Sequence, residues 1–516
     1  MPRGRLGQLS AAAFGAALAA LALPPQSLWP LGWFGLAPLF LAASAGRRRD
    51  AALAGFTAGF AYHAVVLHWI YQTCLFARMP VLVAALAWFA LSGFLALNWA
   101  LTAILGRRLS VRAPRALRPW LWALVWTVVA AASERWTPRL AADLFAYTQG
   151  PNLALLQSLS WGGPHLLGFV VVLFSASLAE AWLDAQAGEW GPSVRPLCAS
   201  VLLAAGLWAH GRSVLLGRPL IPGPTARVEI LQPKVDQYHK WDRAFIDAIL
   251  ANLDGLLAAP RPKKPALVVW PETCLPRRIA RGQAAAEGAR WAKALGAPQL
   301  VGIIAGPDGK GGPGPANGAQ FIASDGRVAG FYAKRELVPF GEFVPWRGLI
   351  PRFVVEHWLA VLDEFGDMSA GAKDQPLFDT PFGPAAVTIC YEAMFPRWSR
   401  RDAARGARLL VNITNDGWYK GTWGPYQHFA VNAARAIESR MTVIRSGNTG
   451  ISAVIDPYGR VIARLDLDAR GRLDVDVPLT DAFPERSFYV RHGDWFGTLC
   501  MSLLALAFLL KALLRG

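Results

Sequence analysis

The stretch Val387-Thr388-Ile389-Cys390-Tyr391-Glu392 decides how this chain is read. Ala385 to Ile389 is a short apolar run, the pattern of a buried strand. It ends on a cysteine followed by an aromatic and an acidic residue. A thiol at the end of a buried strand sits where a rigid element meets a cleft, which suits a nucleophile. A lone cysteine on an apolar run equally suits a small core side chain. Two further stretches bear on that choice. Val268-Val269-Trp270-Pro271-Glu272-Thr273 is another apolar strand, and it ends on a carboxylate. Gly330-Phe331-Tyr332-Ala333-Lys334-Arg335-Glu336-Leu337-Val338-Pro339-Phe340-Gly341-Glu342 places a lysine just past a third. A base, a cation and a thiol, each at a strand end, are the parts of an acyl-transfer site.

Around these stretches, residues 220–485 alternate short strands with helical segments. Strands are expected at Arg227 to Gln232, Ala266 to Trp270, Gln299 to Ala305, Ala319 to Ala323, Val328 to Tyr332, Leu409 to Ile413, Thr442 to Ser446 and Ser452 to Ile455. Helices are expected at Trp241 to Leu257, Gly282 to Leu295 and Gln427 to Glu438. Gly306 to Gly318 is rich in Gly and Pro and reads as a loop, and Asp325-Gly326 marks a hairpin. The pattern is that of an α/β domain.

The rest of the chain belongs to a different solvent. Of 516 residues, 54% are hydrophobic and only 17% charged, with a mean hydropathy of +0.29. That is too apolar for a soluble protein and too charged for a purely membrane one. Apolar segments lie near 9–23, 29–45, 51–73, 81–105, 118–134, 160–185 and 196–216, and a last one runs from Phe496 to Leu509. Most approach the roughly 20 residues that cross a bilayer. The expected architecture is a membrane α-helical bundle of about eight spans with an α/β domain inserted before the last. The boundaries are 1–216 for seven spans, 217–490 for the inserted domain and 491–516 for the final helix and tail. Arg3 and Arg5 precede an Ala-rich run, as in a signal peptide, but further spans follow at once, so a retained first helix is expected.

Charge sets the orientation. The net charge is +17, and the tight basic clusters flank apolar runs. Arg3 and Arg5, then Arg47 to Arg49, then Arg107, Arg108, Arg112, Arg115 and Arg118 mark one side, while the intervening joints carry Arg78 alone. By the positive-inside rule both termini are cytoplasmic and the inserted domain lies on the far side. The joint from Glu134 to Leu159 lies on that outer side and is apolar for a loop. No zinc finger, phosphate loop or base-reading helix is present, so nucleic-acid binding is not expected. The five cysteines form no CxxC and the eight histidines no ligand set, so neither a disulfide framework nor a metal site is expected.

Trp270-Pro271-Glu272, Tyr332-x-Lys334-x-x-Leu337-Val338-Pro339-Phe340-Gly341-Glu342 and Cys390-Tyr391-Glu392 together resemble the Glu-Lys-Cys triad of the nitrilase superfamily. With apolar segments on both sides, the whole chain resembles the apolipoprotein N-acyltransferase family. Gln232-Pro233 followed by Lys240-Trp241-Asp242 matches too, as do Asn415-Asp416-x-Trp418, Gly424-Pro425-x-Gln427-His428 and Arg445-x-x-Asn448-Thr449-Gly450. The resemblance implies a nitrilase-like αββα sandwich on the helix bundle, in the bacterial inner membrane, with the sandwich in the periplasm. It implies transfer of an acyl chain from a phospholipid, phosphatidylethanolamine being the expected donor, to the α-amino group of an apolipoprotein's diacylglyceryl-cysteine. It needs no cofactor, and a monomer is expected. Carried over by motif, Glu272 is the general base, Lys334 the oxyanion stabiliser and Cys390 the nucleophile. Trp241, Glu342, Tyr391, Glu392, Asn415 and Trp418 match supporting or substrate-binding positions. The resemblance also implies ping-pong chemistry through a cysteine thioester.

Two positions depart from the pattern. Cys274, two residues past Glu272, is extra, and it could pair with or protect Cys390. Near Met441 an arginine is expected, and Arg440 adjoins it. Two rival readings remain at this point: an anchored nitrilase-superfamily hydrolase, which needs one span rather than eight, and an inactive lipid-binding scaffold, which would not need all three triad residues.

Overall fold

The computed structural model describes residues 4–136, 144–189, 191–221, 223–306, 314–349, 367–479 and 486–513. The chain divides into two compact units, Arg218–Arg486 and a unit formed by Met1–Gly217 with Ser487–Gly516.

The unit formed by the chain's two ends is helical. It holds α1 (Arg5–Ala20), α2 (Pro30–Phe34), α3 (Ala37–Ala45), α4 (Arg48–Val66), α5 (His68–Phe76), α6 (Val81–Ser110), α7 (Arg118–Trp136), α8 (Leu153–Leu156), α9 (Leu159–Ala187) and α10 (Val194–Leu216). Four stretches are long and apolar enough to cross a membrane: Val81–Ser110, Arg115–Glu134, Leu159–Ala187 and Val194–Leu216. A fifth span results if α4 and α5, bent by 48° about Leu67, count as one. The expected count of about eight is therefore four or five by length and composition among the described residues. The shortfall has a physical cause. At 1.5 Å per residue the 16 residues of α1 reach about 24 Å, short of a hydrocarbon core of about 30 Å. The second apolar run is split between α2 and α3 at Gly35-Leu36. Small residues let α4 and α6 approach: a Cβ on Gly59 would meet the Trp99 side chain at 2.8 Å. The expected outer joint lies partly outside the described residues. Its described part is a buried 3-10 turn, Phe145–Gln149, followed by α8.

The second unit is two stacked sheets with helices on their outer faces. Its elements are β1 (Thr225–Gln232), α11 (Ile246–Ala258), β2 (Leu267–Val269), β3 (Arg278–Ala280), α12 (Ala286–Leu295), β4 (Gln299–Gly306), β5 (Ala316–Ile322), β6 (Val328–Ala333), β7 (Phe378–Thr380), β8 (Gly383–Ile389), α13 (Pro396–Ala404), β9 (Leu409–Thr414), α14 (Gly424–Ser439), β10 (Thr442–Gly447), β11 (Ser452–Ile455), β12 (Val461–Leu465) and β13 (Gly471–Pro478). Sheet order is β13-β1-β2-β4-β5-β6, with β3 beside β4, and β12-β11-β10-β9-β8-β7. Every residue of β4, β5, β9 and β10 is buried, as strands covered on both faces must be. The sheets meet where Ser446 Oγ on β10 donates to the Leu231 carbonyl on β1 at 2.9 Å. On the first sheet, α11 buries Ile249, Leu253, Leu256 and Leu257, one face of a helix, among Leu231, Val268, Trp270 and Val301. On the second, α14 packs against β10 and β11.

Four strands, β3, β7, β12 and β13, were not expected. β13 pairs antiparallel with β1 along its whole length. The expected loop at Gly306 to Gly318 ends early, because β5 already begins at Ala316. The expected helix from Trp241 forms only from Ile246, after a 3-10 turn.

Candidate active site

Glu272 lies just past β2, Lys334 just past β6 and Cys390 just past β8, and the fold brings all three together. Glu272 is 6% exposed. Its Oε1 accepts from Asn317 Nδ2 at 2.6 Å and lies 3.4 Å from Lys334 Nζ, and its Oε2 accepts from the Asn415 N–H at 2.7 Å. Lys334 Nζ donates to Glu342 Oε1 at 2.8 Å, and Asn317 Nδ2 donates to that same oxygen at 2.8 Å. The other oxygen of Glu342 accepts from the Val338 N–H at 2.8 Å, which closes its own loop. One ammonium is therefore held between two buried carboxylates. Burial alone would lower its pKa. The charges of Glu342, then Glu272, outweigh that and hold Lys334 above the ordinary lysine range.

Cys390 opens a 3-10 turn, Cys390–Met394, with φ of 50°. A non-glycine residue in the left-handed region costs on the order of 1–3 kcal/mol, so surrounding contacts must impose it. The thiol is buried. Burial first, then the charge of Glu272, push its pKa well above the usual value, while Lys334 pulls the other way. The resting thiol is thus protonated, and an attack on carbon needs the proton removed as the bond forms. A carboxylate and a fixed ammonium beside such a thiol can do that and can stabilise an oxyanion.

Glu392 ties the two halves of the site together. Its Oε2 accepts from the Ile389 N–H at 2.6 Å and from Tyr332 Oη at 2.8 Å. Its Oε1 accepts from the N–H groups of Arg335 at 2.5 Å and Glu336 at 3.1 Å. One carboxylate thus fastens the cysteine turn to the lysine segment. Burial pushes its pKa up to about 7, against the pull of Arg335 and of these donors. Arg335 grips Asp402 with two bonds, at 3.1 and 2.7 Å.

The other expected residues fall around this centre. Asn415 donates to Glu272 through its backbone, and its Oδ1 accepts from Asn448 Nδ2 at 3.0 Å. Tyr391 is buried edge-on to Phe395, with ring centroids 4.9 Å apart. Trp418 closes the 3-10 turn Asp416–Trp418 and is half-buried. Trp241 is half-buried, with Lys240 Nζ 6.0 Å from its ring centroid. Cys274 donates to the Gly302 carbonyl at 3.2 Å, and burial pushes its thiol up to about 12. It packs with Trp270 and Leu275 as a core residue and is not disulfide-bonded.

Two contributors were missed. Asn317, which bridges Glu272 and Glu342, stands in a Gly- and Pro-rich stretch that reads as loop. Lys240 is buried and donates to Thr273 Oγ1 at 2.5 Å, and burial pushes its pKa down to about 8. Its signal was present in Lys240-Trp241-Asp242, but nothing local says that this lysine is inside.

Cys390, Asp416 and His428 could offer three ligand atoms within 4.8 Å of one another. They are already joined otherwise. His428 Nδ1 meets Asp416 Oδ1 at 2.8 Å, its Nε2 meets the Cys390 carbonyl at 2.9 Å, and Arg445 Nη2 donates to Asp416 Oδ2 at 2.8 Å. A guanidinium against the carboxylate and two occupied ring nitrogens do not fit a metal ion.

Comparison with known proteins agrees with this geometry. Residues 15–177 match the family described as apolipoprotein N-acyltransferase N-terminal domain, and residues 234–483 the one described as carbon-nitrogen hydrolase. An apolipoprotein N-acyltransferase of Geobacter metallireducens is 32% identical over 96% of this chain and 94% of its own. Its namesake in Brucella melitensis is 31% identical over 96% and 94%. One from a Nostoc species is 30% identical over 96% and 98%.

Proposed function

The chain belongs to the apolipoprotein N-acyltransferase family, and from that premise we propose that Cys390 is its nucleophile, Glu272 its general base and Lys334 its oxyanion-stabilising cation. It is an N-acyltransferase acting in lipoprotein maturation, as the family does, and a membrane protein. The observation that carries the residue roles is the Lys334 ammonium, fixed between the Glu272 and Glu342 carboxylates beside a buried thiol.

The reaction runs in two halves. Glu272 takes the Sγ proton as Cys390 attacks the ester carbonyl of a phospholipid. The oxyanion forms against Lys334 and the backbone N–H of Tyr391. Its collapse breaks the ester bond, and the lysophospholipid leaves with the proton returned by Glu272. The α-amino group of a diacylglyceryl-cysteine then attacks the thioester and gives its proton to Glu272; collapse breaks the C–S bond, and Glu272 returns that proton to the Cys390 sulfur. A waiting thioester must be kept from water, and the burial of Glu272, Lys334 and Cys390 supports that requirement. Phosphatidylethanolamine is the donor and the enzyme acts as a monomer. It crosses the bacterial inner membrane about eight times, with its short apolar helices completing the bundle, cytoplasmic termini and the Arg218–Arg486 unit in the periplasm.

Incubation with phospholipid alone tests the chemistry. One acyl group should appear on the protein as a hydroxylamine-labile adduct, persist in Cys274→Ser and vanish in Cys390→Ser. An adduct on Cys274, or one that survives without Cys390, overturns the assignment. Reporter fusions at Gly312 and Gly516 should report opposite sides of the membrane. The same side for both would sink the topology.

A further inference from the structure

We propose that His428 is a positioning residue that aims the Tyr391 N–H at the oxyanion by holding the Cys390 carbonyl, the other edge of the same peptide plane. The inference rests on Cys390 being the nucleophile. His428 Nε2 lies 2.9 Å from the Cys390 carbonyl oxygen. A carbonyl only accepts, so the ring nitrogen donates. The peptide joining Cys390 to Tyr391 is planar and, like every other among the described residues but Pro24-Pro25, trans, so its C=O and N–H point in opposite directions. Fixing one vector fixes the other. At φ of 50° Cys390 leaves the strand, and beyond the short 3-10 turn that it opens, the peptide that follows it is held by His428.

His428 is itself held from three elements. It stands on α14, and its Nδ1 meets Asp416 Oδ1 at 2.8 Å. Asp416 also accepts from Thr414 Oγ1 on β9 at 3.1 Å and from Arg445 Nη2 on β10 at 2.8 Å. Arg445 in turn donates to Asn412 Oδ1 at 2.5 Å and to the Ile451 carbonyl at 3.1 Å. His428, Asp416, Arg445, Thr414 and Asn412 are all buried to within 1%. A relay with so little freedom can set a donor before substrate arrives, which is when preorganisation is worth most. His428 touches the backbone of Cys390 rather than the acyl group, so its effect should fall on the step that makes an oxyanion and spare one that does not.

Acylation and alkylation of Cys390 separate those steps. Single-turnover acylation by phospholipid builds an oxyanion, whereas alkylation by iodoacetamide uses the same thiol without one. His428→Ala should slow acylation roughly 100- to 1,000-fold, with half-saturation by phospholipid within about twofold and alkylation within about threefold of the parent. His428→Gln, whose amide reaches the carbonyl, should recover at least about tenfold, and His428→Asn, one methylene shorter, should not. If alanine prevents folding, the Gln and Asn pair decides alone. Acylation in His428→Ala within about fivefold of the parent overturns the inference and leaves the nucleophile assignment standing. So does alkylation that falls in step with acylation, or equal rates in Gln and Asn. An adduct outside Cys390 in the parent protein overturns both.

Discussion

Lys334 and Arg335 adjoin just past β6, and their side chains enter different clusters. The lysine enters a cluster with Glu272, Glu342 and Asn317. The arginine enters one with Asp402, Tyr332 and Glu392. Both are buried cations among carboxylates, yet they are built differently. The guanidinium meets Asp402 through two bonds, a planar fork matched to a planar acceptor. The ammonium makes one close bond to Glu342 and stands 3.4 Å from Glu272, so it is a point charge with room to turn towards a new anion. The first arrangement holds segments in place. The second suits the oxyanion-stabilising role proposed for Lys334.

That contrast can be broken experimentally. The largest effect should follow Lys334→Ala, which we expect to reduce transfer by about a thousandfold, or ~4 kcal/mol of barrier, with Lys334→Arg falling nearly as far. Near-normal turnover in the arginine variant would show that only general positive charge matters there. Arg335→Ala should instead cost about 3 kcal/mol of stability, because buried Asp402 loses its two-bond partner and keeps only Arg405, 3.5 Å away. A lowered thermal midpoint with little change in activity per folded molecule is the expected result, and intact stability with lost activity would erase the distinction.

Asp416 sharpens the comparison with a third buried pair. Burial would raise its pKa, but His428 and Arg445 outweigh that and hold it down at about 2. An unfolded aspartate titrates near ~3.9. The folded value is the lower one, so the charged form stabilises the fold above about pH 4, and that contribution is lost as the pH falls towards about 2. Roughly 2–3 kcal/mol is at stake. Thermal midpoints should fall over that window and flatten in Asp416→Asn. An unchanged slope in the variant would assign the acid sensitivity elsewhere. The smallest effect belongs to Cys274→Ser. A hydroxyl can keep the bond to Gly302, so transfer should stay within about twofold and stability within about 1 kcal/mol. A large loss of transfer would return Cys274 to the chemistry.

Much of the site was legible because its parts stand at the ends of apolar runs. Glu272, Lys334 and Cys390 each follow a strand that announces itself by composition, and Glu342 and Glu392 stand close in sequence to the residues they serve. Asn317 was not legible. Its strand begins in a stretch of Gly and Pro, and only pairing with β4 and β6 makes it a strand. β13 was missed for a related reason. Arg472, Asp474 and Asp476 break its apolar pattern, and its place is fixed by register with β1. Only four or five of the expected eight spans form helices of full crossing length among the described residues, since apolar runs joined by Pro and Gly read as longer than the helices they form.

The sequence by itself determined that two solvents share this chain, where the apolar segments fall and which three residues stand at strand ends as candidates for the chemistry. Those are local properties, set by composition and by a few adjacent residues. Only the tertiary structure decided which of two neighbouring cations faces the thiol, that Cys274 is core and that His428 meets the Cys390 carbonyl. Each of those depends on contacts between segments tens to hundreds of residues apart, through packing and hydrogen bonds whose partners leave no mark on each other's neighbours in the chain.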